Sequence, residues 1–290
     1  MPPLQTKFPK PIPLEVSVYG PDNAVKAANF GAKRILLNRK GSHRVGGLTP
    51  SAQELRDLKD KIHIPVSCVI RPRGAPDKTM PGEVHDYIYS NHEFVQMSEA
   101  IRELKYAGVM NPIRGDSFVF GCVRRNSEGK TEEDRARIVI DRAYCRYLIE
   151  MATPYGCVFN RAFDHFADRG EWSDGLVEIN ELGFKGVMTA GGSGNFSSHV
   201  DVLSAMCHRI SDLQLIVAGG VFCREIKKLR KRVHDFNSHT IWMNGQCLNP
   251  SQHHDPETAD VNGVMSLVDQ LGLETEDWMS PYDIGKQYYY

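Results

Sequence analysis

The chain has 290 residues, 41% of them hydrophobic, a net charge of −1 and seven cysteines. That length and apolar content bury a sizeable core without metals or disulfides, and the near-zero charge offers no global field to nucleic acid or an anionic membrane. No apolar run reaches the roughly 18 residues of a membrane span, and cysteines without any C-x-x-C spacing point to reduced thiols in the cytosol or nucleus.

Residues 1–13 are proline-rich and lack an apolar h-region, so they read as an extended lead-in rather than a secretory leader. Short β-branched runs follow at Leu14–Tyr19, Arg34–Asn38, Ile64–Arg71, Ser117–Val123, Gly156–Phe163, Gly186–Gly191, Leu213–Gly220 and Thr240–Gly245. Between them lie stretches with helical spacing, such as Ser51–Asp60 and Glu93–Ala107. Gly31 stops a helix just before the second run, and Ser51 with Glu54 forms a capping signal. Residues 74–92 make a long polar loop after the third run, placed where a lid would carry Tyr87 and Tyr89 over a site. Thr131 with Asp134 opens a helix predicted to reach about Met151. Strand–helix alternation repeated eight times, with Arg71, Arg161 and glycine pairs at strand C-termini, predicts a closed (β/α)₈ TIM barrel over residues 14–250 rather than an open doubly wound sheet. Residues 251–290 form a tail with one helix predicted over Ala259–Leu271.

Arg71 and Arg73 at the third strand mouth suit bidentate binding of a carboxylate or phosphate, or else a structural ion pair with barrel or loop carboxylates. Period two places Arg161 on one face of the fifth strand and Asp164 on the other, so Arg161 needs a partner from a neighbouring strand or a bound anion. The turns at Gly191–Gly192 and Gly219–Gly220 offer backbone N–H groups to the same anion. Glu15 and Asp164 are the candidate acids of an enzyme reading. His199 and His208 on one helix, and the tail pair His253–His254, lack ligand spacing. Cys68, Cys122 and Cys157 fall on successive strands, Cys122 and Cys157 being the weak soft-metal candidates. With Arg71 directed inward, Cys68 points to the helices.

The order of motifs resembles the CutC copper-homeostasis family. Leu14-Glu-Val-Ser-Val18, Gly46-Gly-Leu-Thr-Pro-Ser51, Ile70-Arg-Pro-Arg-Gly74, Tyr87-Ile-Tyr-Ser90 before Glu93-Phe94, Phe118-Val-Phe-Gly121, Phe159-Asn-Arg-Ala-Phe-Asp164, Thr189-Ala-Gly-Gly192 and Ala218-Gly-Gly220 carry it. The resemblance runs from about residue 14 to 247. It implies a cytoplasmic or nuclear barrel, homo-oligomeric, with copper entering only through the family. This sequence departs from the family pattern at Leu36 and Asn38, where the resemblance leads one to expect an acid and a thiol, and at Asn160 and Asn244, where it leads one to expect histidines. Three roles stand open: a copper-handling binding protein with an anion-binding mouth, a barrel enzyme acting on a small phosphorylated or carboxylated metabolite, and a silent relative kept for protein contacts.

Overall fold

Every one of the eight apolar runs becomes a strand of one sheet, and the sheet closes. In the computed structural model, which describes residues 11–76, 86–221, 226, 240–248 and 255–272, the barrel strands are β1 (Leu14–Tyr19), β2 (Arg34–Asn38), β3 (Val66–Val69), β4 (Ser117–Phe120), β7 (Gly156–Phe159), β8 (Gly186–Thr189), β9 (Gln214–Val217) and β10 (Ile241–Gly245). All neighbours are parallel, and β10 returns to β1 with Met243 opposite Leu14. The helices are α1 (Pro21–Asn29), α2 (Ala52–Arg56), α3 (Asn91–Tyr106), α4 (Glu132–Ala136), α5 (Arg142–Ala152), α6 (Asp164–Asp168), α7 (Trp172–Leu182), α8 (Val200–Arg209) and α9 (Val261–Gln270).

Alternation sorts each strand into two sets. Val16, Val18, Cys68, Phe118, Cys157 and Val187 face the helices, while Leu36, Val69, Val119, Val158, Met188, Ile216 and Ala218 form a separate apolar cluster inside the barrel. Burying each large side chain of that cluster contributes about 1.5–3 kcal/mol. The N-terminal layer of the interior is polar. Glu15 accepts from Arg34 Nε at 2.5 Å and from Asn244 Nδ2 at 2.7 Å, and Arg34 Nη1 donates to Gln214 Oε1 at 2.9 Å. The Arg34 guanidinium lies 4.0 Å from the Trp242 ring centre.

One helix expectation changes and one holds. The helix predicted from Thr131 to about Met151 is broken: the Thr131–Asp134 capping box forms, but Arg137 is extended and the β-branched Ile138–Ile140 becomes β6. β6 pairs antiparallel with β5 (Val123–Arg125), burying Ile138 and Ile140, and Asp141 then caps α5 afresh. Such a triplet finds more burial as a strand than on a solvent-facing helix. The tail helix forms as α9 and packs on α1 and β1. Gly31, at φ +104, lies where an added Cβ would meet Val268 at 3.0 Å, which is why the chain turns there on glycine.

Candidate functional site at the barrel mouth

At the C-terminal ends of the strands a cavity of about 640 Å³ opens, the face on which barrels carry their sites. Leu36, Val69, Val119, Met188 and Ala218 form its floor. Above them stand Tyr19, Asn38, Asn160, Asn244 and Gln246, with Arg71, Asp86, Tyr87, Arg161, Gly219 and Gly220 around the wall. Leu36, Asn38, Asn160 and Asn244, the four positions at which the resemblance leads one to expect other residues, all border this one space.

The arginines arrive with their own carboxylates. Arg71, buried in the mouth, donates through Nη2 to both oxygens of Asp86 at 2.7 and 2.9 Å and through Nη1 to the carbonyls of Val45 and Gly47. Burial works against its charge, but Asp86 more than offsets this and its pKa sits above the usual value. Its buried Nε has no hydrogen-bond partner among the described residues. Arg73 does not border the cavity: it reaches Glu93 at 2.5 Å and the carbonyls of Asp86 and Ile88 at 3.0 and 2.7 Å, tying the end of the loop to the start of α3. For Arg73 the structural ion-pair alternative holds.

Arg161 contradicts the alternation argument. The strand ends at Phe159, Asn160 Oδ1 accepts from Ala162 N at 3.0 Å, and residues 161–163 form a 3-10 turn. The turn swings Asp164 beside Arg161, with Nε to Oδ2 at 2.8 Å, where a continued strand would have kept them on opposite faces. Nη2 donates to Gly194 O at 2.9 Å, and Nη1 lies 3.2 Å from where a Cβ on Gly219 would stand. Asp164 also accepts from Thr189 Oγ1 at 2.5 Å and Ala190 N at 3.0 Å. Burial raises its carboxyl pKa, against the pull of Arg161 and Thr189. It latches α6 to the end of β8 and does not border the cavity. Glu15 is likewise spent on Arg34 and Asn244, beneath the cavity floor.

The two glycine turns separate. Gly191 N donates to Thr189 Oγ1 at 2.9 Å, Ser193 N donates to Asp168 Oδ1 at 2.7 Å, and neither Gly191 nor Gly192 borders the cavity. Gly219 and Gly220, at φ +86 and +70, do border it. Added Cβ atoms there would strike Gly194 O at 2.9 Å and the Asn195 amide carbon at 2.7 Å, so only glycine brings the backbone this close. Among the described residues no acceptor takes the N–H of either.

Cys68, Cys122 and Cys157 all lie in the helix-facing layer. Cys122 is beside Cys145 of α5, whose Sγ is 3.6 Å from the Cys122 carbonyl oxygen. Desolvation pushes the Cys157 thiol up to about 12, and the Cys122 thiol well above its usual value with Cys145 adding to the rise. Among the described residues no group of three His, Cys, Asp or Glu side chains is placed to hold a metal ion. Cys223, the His253–His254 pair and residues 77–85 of the expected lid lie outside the described residues. Of the lid tyrosines, Tyr87 borders the cavity with Arg71 5.8 Å from its ring, while Tyr89 is buried beneath Arg73. Tyr19 and Gln246 went unassigned from sequence, although the alternation that turns Glu15 and Ser17 inward turns Tyr19 inward as well.

The CutC family model matches residues 12–240. A CutC family protein of Treponema denticola is 29% identical over 223 residues, 77% of this chain and 78% of its own. The human copper homeostasis protein cutC homolog is 30% identical over 207 residues, 71% of this chain and 64% of its own length. The Caenorhabditis elegans homolog is 31% identical over 188 residues, 64% of this chain and 62% of its own. The match thus spans just under two thirds of the human and nematode proteins. A crystal structure of a CutC protein from Streptococcus agalactiae superposes with a TM-score of 0.63 at 19% identity, covering 81% of this chain and 98% of that one; that likeness speaks for the fold.

Proposed function

The chain belongs to the CutC family, and on that footing we propose that it serves in intracellular copper homeostasis through a small anion held at its barrel mouth, not through thiolate capture of the metal. The relatives' names support the copper role. The carrying observation is the rim itself, where the Gly219 and Gly220 amides stand beside Arg161 at the loop after the seventh barrel strand, a common seat for phosphate in this architecture.

Copper(I) prefers two or three soft sulfur ligands, and among the described residues the Met188 thioether is the one sulfur bordering the mouth. The residues there do not fit the ion. Among the described residues no helix is long and apolar enough to cross a membrane, and the cytoplasmic or nuclear location rests on the family resemblance. Exposed Val95, Tyr147 and Val177 on α3, α5 and α7 support a homo-oligomer. A second reading, an enzyme acting on the same anion, is favoured by His43, whose buried Nδ1 has no partner among the described residues and whose ring packs 5.1 Å from that of Tyr19.

Orthophosphate is the direct probe. It should raise the melting temperature with the logarithm of its concentration above Kd, with about 2.7 kcal/mol of stabilisation at a hundredfold excess. Arg161→Gln should remove most of that shift, whereas Arg73→Ala should lower the starting melting temperature and keep the shift. An equal response in wild type and Arg161→Gln would overturn the anion site.

A further inference from the structure

The cavity is large for a bare anion, and its remaining polar groups have a common character. We infer that the mouth is built for a phosphorylated polyol, a small molecule with one terminal phosphate and an uncharged, hydroxyl-bearing body. This rests on the anion reading above and names what the anion is attached to.

The volume of about 640 Å³ falls in the range of small-molecule sites, and orthophosphate alone leaves most of it unfilled. Arg71 is paired with Asp86 and Arg161 with Asp164, which leaves Arg44 on the rim to balance one phosphate and no place for a second strong anion. A buried charge without a partner is costly, which disfavours a second acidic group or an amine on the body of the ligand.

Beyond the arginines and Asp86, the polar groups that line the cavity are neutral and hydrogen-bonding. Asn160 uses Oδ1 on the Ala162 N–H and keeps Nδ2. Gln246 borders the cavity with no partner among the described residues. Ser17 donates to Asn244 Oδ1 at 3.0 Å and retains its lone pairs. Tyr19 borders the same space, and burial with Glu257 nearby pushes its pKa up to about 12, so its hydroxyl is neutral. Amides and hydroxyls that both donate and accept match hydroxyl groups, which do the same. The apolar floor of Val69, Val119 and Met188 suits the C–H face of such a body. The phosphate sits at Gly219, Gly220 and Arg161, and the body extends toward Gln246 and Asn160.

Titration calorimetry with ribose 5-phosphate, orthophosphate and ribose tests this on the full chain. Ribose 5-phosphate should bind at least about tenfold more tightly than orthophosphate, a difference of about 1.4 kcal/mol. Gln246→Leu should narrow that gap to a few-fold, and Arg161→Gln should weaken both phosphates. Equal affinity for the two phosphates would overturn the polyol inference and leave the anion mouth standing. No saturable binding of either would overturn both, and tight binding of ribose alone would overturn the assignment of the phosphate seat.

Discussion

Glu15 and Arg34 share the barrel interior at 2.5 Å, almost wholly out of water. Deleting one member of such a pair strands the other, at a cost of about 3–5 kcal/mol. Arg34→Met should therefore lower the stability in urea by that order, and Glu15→Met with Arg34→Met should recover most of it. A single variant as stable as wild type would mean that solvent reaches Glu15. The thiols give a pH-dependent check. Only the thiolate is alkylated, and burial holds Cys157 near 12 while Cys247 is only half-buried. At pH 8 iodoacetamide should label Cys247 far faster than Cys157, and Cys157 should gain reactivity only as the pH climbs toward its raised pKa. Comparable rates at pH 8 would contradict the packing of the outer layer. Residue by residue, the sequence was readable where a strand ran on. Alternation placed Cys68 against the helices and Arg71 in the mouth. It failed at Arg161, because Asn160 caps a turn there and a capping asparagine inside an apolar run looks like one more strand residue.

Among the elements, eight strands were legible since each is a short β-branched run closed by glycine or charge. The ends of those runs were less so. Val123 and Ile138–Ile140 carry the same apolar signal as the barrel strands, yet pair with each other outside the barrel; nothing local says which sheet a strand will join. Helix starts were clearer, because a capping box is a chemical pairing of neighbours. Ser90 and Glu93 form one at the head of α3, with Glu93 also bound to Arg73. Ser90→Ala should cost about 1 kcal/mol in a denaturant titration without altering the response to orthophosphate. A lost response would make the start of α3 part of the binding site rather than its support.

For the whole molecule, the site was legible as a place and not as a list. The cavity opens at the strand C-termini, and Arg71, Arg161, Gly219 and Gly220 all border it there. Arg73, Gly191 and Gly192 do not, nor do Glu15 and Asp164: Arg73 is held by Glu93, Gly191 bonds Thr189, Asp164 is held by Arg161 and Thr189, and Glu15 is held by Asn244 across the closure of the barrel. The same closure sends Cys122 and Cys157 to the outer layer, where Cys145 joins them. The proposed part of this chain in copper homeostasis runs through what its mouth binds and not through ligation of the metal by its thiols. Competition of the purified protein for Cu(I) against a chelator of known affinity distinguishes the two. The expected binding is no tighter than that of isolated exposed thiols and unchanged in Cys122→Ser and Cys157→Ser. One tight equivalent per chain, lost on replacing Cys122, Cys145 or Cys157, would contradict it.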